Sequence, residues 1–221
     1  RSDTLEVSAQ EQGLREDLRD VPMVTIDGED ARDLDDAVSL TKNERGYELG
    51  VHIADVSWYV REETALDQEA YNRGTSVYLT DRVIPMLPKK LSNGLCSLNE
   101  GQDRYALSCI MQLSPEGEIL EHRIVESIIR VDHRMTYTNV QYILEGSRIP
   151  EEERTPEQAA AMERYADWVP AFCMMAEVAA LRRRIRRERG SIEFEFPECK
   201  IQPDAYGYPV AVGLRERTEA T

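Results

Sequence analysis

The chain has 221 residues, 41% hydrophobic and 31% charged, with a formal net charge of −15. This allows one sizeable domain, or two small ones, with a core that needs no disulfides, and it excludes wholesale disorder. No apolar run reaches membrane-spanning length, and the acidic balance argues against a partner made of phosphates unless cations intervene.

The opening segment, RSDTLEVSAQ, lacks the basic and apolar regions of a signal peptide, so a soluble cytoplasmic protein is expected. It also lacks a start Met, which points to a chain that begins inside a longer one. Cys96, Cys109, Cys173 and Cys199 form no CxxC pair and have no His nearby in sequence, so they read as buried thiols and not as a zinc site.

After a polar lead-in, Met23 to Ile26 is bounded by Pro22 and Gly28 and reads as a short buried strand. Ala37 to Leu40 resumes a strand, and Tyr47, Leu49, Val51 and Ile53 alternate on one face of the next, with a hairpin turn near Asn43 to Gly46. Two antiparallel strands then flank the stretch between Asp27 and Asp36. A short helix over Ala65 to Asn72 ends at Gly74, and VIPMLPKKLSNG reads as an ordered loop because its two prolines interrupt regular structure. Tyr105 to Leu113 alternates, turns over Pro115 to Gly117 and returns along Ile119 to Val131, a second hairpin.

Helices dominate afterwards. Thr136 or Thr138 caps one that closes at Gly146, and Thr155-Pro156-Glu157-Gln158 is a capping box with Pro at the first helical position. The helix it opens runs towards Arg189, with a kink or split expected at Pro170, a stop at Gly190 and an inward stripe of Val178, Leu181 and Ile185. The arginines of LRRRIRRERG suit the helix dipole and a solvated face, with contact to a partner's phosphates as the alternative. IEFEF returns to strand, PDAYGYP turns, and Val210 to Leu214 is the last strand. The expected fold class is mixed α/β (α+β), with largely antiparallel sheets and packed helices in a single unit.

Asp27 ends a strand, and Asp33, Asp35 and Asp36 follow a Gly that permits a sharp turn. Carboxylates brought together in this way repel one another unless a cation neutralises them, and hard oxygen ligands suit Mg²⁺ or Mn²⁺. Composition alone leaves a solvated Asp-rich turn open. An EF-hand is excluded by Ala37 and Val38 at the fifth and sixth positions counted from Asp33. No P-loop, dinucleotide fingerprint or zinc-protease motif occurs, and His52, His122 and His133 fit no serine-type triad.

The segment VTIDGEDARDLDDAVSL resembles the signature of the RNB exoribonuclease family, the ribonuclease II and ribonuclease R enzymes, nearest its bacterial ribonuclease R branch. GVHIADVSWYV, GTSVYLTDRVIPMLPKKLSNGLCSLNEG, MTYTNV and RERGSIEFEFPE agree in collinear order, so residues 1–17 form a lead-in and 18–221 the N-terminal part of an RNB catalytic domain. The resemblance implies a processive, hydrolytic 3′ to 5′ exoribonuclease that releases nucleoside 5′-monophosphates from single-stranded RNA and depends on Mg²⁺, with Mn²⁺ as the substitute. It makes Asp27, Asp33, Asp35 and Asp36 the catalytic, metal-holding set, with Asp27 and Asp36 as the direct ligands and Asp35 serving cleavage more than binding. Tyr78, Tyr137 and Phe194 match the RNA-binding aromatics, though each also reads as a packing residue, Phe194 in particular because it alternates with Ile192 and Phe196.

The resemblance also implies elements beyond Thr221, a helix with a functional Glu and a loop with a functional Arg. It further implies flanking β-barrel domains of cold-shock and S1 type; without these elements, uncovered apolar surface is expected. Two non-catalytic readings stand beside it: a metal-dependent RNA-binding module, and an interaction protein whose acidic loop meets a basic partner.

Overall fold

The computed structural model describes residues 13–79, 82–192 and 198–215. Its main sheet has seven strands: β1 (Glu16–Asp17), β2 (Val24–Asp27), β3 (Asp36–Asn43), β4 (Gly46–Ala54), β7 (Asp103–Leu113), β8 (Ile119–Arg130) and β9 (His133–Thr136). They lie in the order β1-β8-β7-β4-β3-β2-β9. The two expected hairpins form its antiparallel centre, β3 on β4 with Asn43 opposite Gly46, and β7 on β8. The outer strands β1 and β9 pair in parallel with β8 and β2. Three more elements, α1 (Ala65–Arg73), β5 (Val77–Tyr78) and β6 (Val83–Ile84), lie between β4 and β7, and Gly74 ends α1 in the left-handed region at φ 71°. VIPMLPKKLSNG is therefore not wholly loop, because Val83–Ile84 pairs with Val77–Tyr78 and Leu91–Leu95 makes a π-turn.

The helices after β9 pack on one face. In α2 (Tyr137–Ser147) the cap is Thr136, whose hydroxyl accepts from the Asn139 N–H. Gly146 does not close this helix; it lies inside it, where an added Cβ would meet Met162 Sδ at 2.8 Å. Its role is close approach of α2 to α3 (Pro156–Arg164), which the Thr155 capping box opens as expected. The chain then breaks into a 3₁₀ turn, Ala166–Trp168, and restarts as α4 (Val169–Glu188). Pro170 thus sits in a first helical turn, where its missing N–H costs nothing.

Val24 and Met135 of the sheet pack with Ile143, Leu144, Ala161 and Phe172 of these helices, while Leu40, Tyr47 and Leu113 receive Val178 of α4. The opposite face buries Met23, Leu34, Ala37, Ala54, Leu98, Ala106 and Ile129 beneath loops. Ile53, Leu107 and Ile124 share the helix-bearing face by strand alternation yet stay exposed, where no helix reaches. The last strands, β10 (Glu198–Pro203) and β11 (Pro209–Arg215), form a separate hairpin.

Part of the expected lead-in belongs to the sheet. Arg15 donates to Asp55 Oδ2 at 2.6 Å, with both side chains almost fully buried, and its guanidinium lies over the rings of Trp58 and Tyr105. The thiols are also less uniform than expected, since Cys96 is buried, Cys109 and Cys173 are half-buried, and Cys199 is exposed on the free hairpin.

A buried polar row crosses the central strands. Ser39 Oγ meets His52 Nε2 at 3.0 Å, His52 Nδ1 meets Ser108 Oγ at 2.7 Å, and Ser108 Oγ meets Ser127 Oγ at 2.6 Å. Gly50 lies beneath the imidazole, where any side chain would collide with Ser39 and the ring. Burial lowers the His52 pKa from 6.5 to about 4. The unfolded chain takes up a proton near pH 6.5 while the folded one stays neutral, so stability present above pH 6.5 is lost as pH falls towards about 4. Denaturant midpoints measured across that window should fall with pH, and His52→Gln should flatten the fall; an equal slope in the variant would remove His52 as its source.

Candidate functional site

The acidic stretch is the connection between two paired strands. Asp27 closes β2, Asp36 opens β3, and Val24 faces Val38 across the pair. Residues 28–35 leave the ladder, so their backbone groups need other partners. Gly28 O accepts from the Ala31 N–H at 3.1 Å, which closes a turn. Leu34, only 1% exposed, plugs into the core beneath the loop. Its N–H donates to Ser97 Oγ at 3.1 Å and its carbonyl accepts from the Leu98 N–H at 2.9 Å. The Ser97 hydroxyl donates to Arg32 O at 3.0 Å, and the Ala54 N–H donates to Asp35 O at 2.9 Å. Ser97 is itself held, because the buried Arg104 guanidinium donates to Ser97 O and Gly94 O.

A rigid loop carries the four expected carboxylates as neighbours. Burial, then the charges of Asp36 and Asp35, push the Asp27 carboxyl above its ordinary range, against the pull of Arg134. Partial desolvation, then the charges of Asp33 and Asp36, push Asp35 up in the same direction. Asp27 Oδ2 is buried without a hydrogen-bond partner among the described residues. No group of three or more His, Cys, Asp or Glu among those residues is gathered tightly enough to hold a metal ion, so the carboxylates are close but not closed into a cage. The donor set nonetheless suits a hard divalent cation, being all carboxylate oxygen with one orphaned acceptor and repulsion that Arg134 only partly offsets.

One of the three expected aromatics touches these carboxylates, and a second directly follows the strand residue paired with Asp27. Tyr78, 69% exposed on β5, donates its hydroxyl to Asp33 Oδ2 at 3.4 Å. With Arg32, Asp33, Ser76, Lys89 and Asn93 it lines a cavity of about 240 Å³. Tyr137, half-buried, opens α2 directly after Thr136, which pairs with Asp27 across the parallel β2–β9 ladder. Phe194 lies outside the described residues. The arginine run is not at the site: Arg182 donates to Gly117 O in the β7–β8 turn, and the run sits at the far end of β3 from Asp36. Eight residues of strand put it about 25 Å from the acidic loop, which supports the solvated-face reading.

Leu34, Ser97, Arg134 and Thr138 hold the loop without belonging to the sequence motif's acidic set. A lone apolar residue inside an acidic run was the available signal for Leu34. Ser97, 63 residues from its partner, left none.

The chain belongs to the RNB domain family, which matches residues 15–221. Among individual proteins it is similar to ribonuclease R 1 of Lactococcus lactis, 47% identical over 92% of this chain and 24% of that protein. The ribonuclease R of Thermotoga maritima is 45% identical over 92% of this chain and 27% of that one. The chain thus spans about a quarter of the length of these relatives. A solved structure of Mycoplasma genitalium RNase R in complex with ribose-methylated single-stranded RNA superposes with a TM-score of 0.81 at 29% identity, over 98% of this chain and 32% of that chain. Yeast Ssd1, described as a pseudonuclease, shares the fold at 22% identity and a TM-score of 0.58, over 64% of this chain and 18% of that one. No helix among the described residues is long and apolar enough to cross a membrane.

If repulsion dominates the cation-free loop, Asp27→Asn should raise the melting temperature in chelator by about 2–4 °C. Calorimetry of both proteins in EDTA checks this, and an unchanged or lower midpoint would show that Asp27 carries little of the repulsion.

Proposed function

We propose that this chain is the acidic-loop part of a 3′ to 5′ exoribonuclease, one that hydrolyses single-stranded RNA processively to nucleoside 5′-monophosphates. The observation that carries the reading is the set of mutually repelling carboxylates with an orphaned Asp27 oxygen, held rigid beside the exposed Tyr78. Membership of the RNB family and likeness to ribonuclease R proteins support it. Asp27 and Asp36 would hold Mg²⁺, or Mn²⁺ in its place, with Asp33 and Asp35 completing the set. The ion supplies neutralisation of these carboxylates and polarisation of a phosphodiester.

The chain's own residues then divide the work. Tyr78 presents a face on which a base of any identity stacks, while Arg32 and Lys89 in the same cavity offset phosphate charge. This local arrangement is how a chain of net charge −15 takes a polyanion. Tyr137, beside Asp27, bounds the site on the β9 side, and Asp35 serves cleavage more than binding. Phe194 is retained as the second base-stacking aromatic on the resemblance alone. We place the protein in the cytoplasm and expect cold-shock and S1 type domains in the longer molecule of which its relatives are examples.

A second reading has its own support. Because the chain spans about a quarter of its relatives' length, the chain alone would act as a metal-dependent RNA-binding module that needs further elements to cleave. Incubation with 5′-labelled single-stranded RNA and Mg²⁺ or Mn²⁺ separates the two. A ladder shortened from the 3′ end is expected for the exonuclease, with Asp35→Asn lowering cleavage on the order of 10²-fold while RNA affinity persists. Tyr78→Ala should weaken RNA affinity about tenfold. Tight metal-dependent binding without product selects the module, and neither binding nor product overturns both.

A further inference from the structure

Arg134 lies on β9, opposite Thr25 of β2, and its side chain turns to the acidic loop. From one nitrogen, Nη2, it donates to Glu29 O at 3.0 Å and Ala31 O at 2.7 Å. These two carbonyls flank the loop's first turn, which the Ala31 N–H closes on Gly28 O. The Arg134 backbone is fixed in turn, its N–H donating to Glu100 Oε2 at 2.8 Å. Thr138, the second residue of α2, hydrogen-bonds the Glu29 carboxylate. Arg134 also lines, with Arg32, Leu34, Asn93 and Asn99, a cavity of about 340 Å³ behind that turn.

The loop therefore has two independent anchorages. Ser97, Leu98 and Ala54 hold its second half, Arg32 to Asp35, and those bonds do not constrain Gly28 to Ala31. Asp27, the last residue of β2 and paired with Thr136, is joined to that other half directly through the turn that Arg134 spans. We propose that Arg134 is a positioning residue: its guanidinium, by clasping the Glu29 and Ala31 carbonyls, sets the distance at which Asp27 meets Asp33, Asp35 and Asp36. Its positive charge acts in the same sense, lowering the repulsion that four carboxylates would otherwise release by opening the turn. A carbonyl clasp needs two N–H vectors in one plane, which guanidinium provides and an ammonium on a flexible stem supplies less well. The inference rests on the reading that the acidic set holds a divalent cation.

The test uses Arg134→Gln and Arg134→Lys in the full chain, with Mn²⁺ alone as the probe. Hydrogen exchange in EDTA reads the loop, Mn²⁺ titration reads the site, and thermal melting reports the fold. Arg134→Gln should melt cooperatively, exchange the Ala31 amide about tenfold faster and bind Mn²⁺ about tenfold more weakly, with Arg134→Lys restoring part of both. Wild-type exchange at Ala31 and wild-type Mn²⁺ affinity in Arg134→Gln would overturn the proposal. Should that variant not fold, Arg134→Lys decides alone: faster Ala31 exchange supports the clasp, and wild-type exchange removes it. If the unaltered chain binds no Mn²⁺, the cation reading fails, while the exchange comparison in EDTA still judges Arg134.

Discussion

Everything at the functional end of this molecule depends on one opposition, the repulsion among neighbouring carboxylates against the burial of Leu34. Like charges held close in the absence of a counter-ion favour an open loop. Leu34 prevents the opening because it is fully buried in a core shared with Met23, Ala37 and Ile129. Extracting a buried leucine costs about 1.5–3 kcal/mol, which opposes the opening that the repulsion favours. The loop is therefore strained electrostatically and fixed sterically, the condition in which a bound cation releases repulsion without first having to order the chain.

That condition is maintained from a distance. Arg104, on the central strand β7, is the largest fully buried side chain among the described residues and grips the carbonyls of Gly94 and Ser97, and Ser97 in turn grips the loop on both sides of Asp33. A buried guanidinium that donates to three backbone carbonyls and the Gln102 side chain is stable only where the backbone supplying those carbonyls is itself fixed. The row of Ser39, His52, Ser108 and Ser127 supplies this fixity, locking four adjacent strands in register through side chains as well as the ladder. The positions of the aspartates are thus inherited from the sheet.

The shared fold does not by itself carry the chemistry. A pseudonuclease has the same architecture, and ribonuclease R proteins have it too. What a fold leaves open is the chemistry of the groups mounted on it, here on the β2–β3 connection and the strand beside it. In this chain the acidic residues, Tyr78 and the basic residues of the adjoining cavity are all in place around one loop.

Local sequence determined the elements whose causes are local. The β3–β4 hairpin follows from alternation and its Asn43 to Gly46 turn, the start of α3 from the Thr155 capping box, and the acidic motif from its own spacing, because each signal lies within a few residues of the structure it produces. Gly146 misled for the same reason in reverse: its role is a contact with Met162 on another helix, and nothing beside it in the chain distinguishes that from a stop. Only the tertiary structure decided that Arg15 packs against Asp55, Trp58 and Tyr105, that the arginine run sits away from the acidic loop, and that Ser97 and Arg134 hold it. These residues act across 40 to 105 positions of chain, and a contact at that separation is set by how the whole sheet closes, which no local pattern of residues encodes.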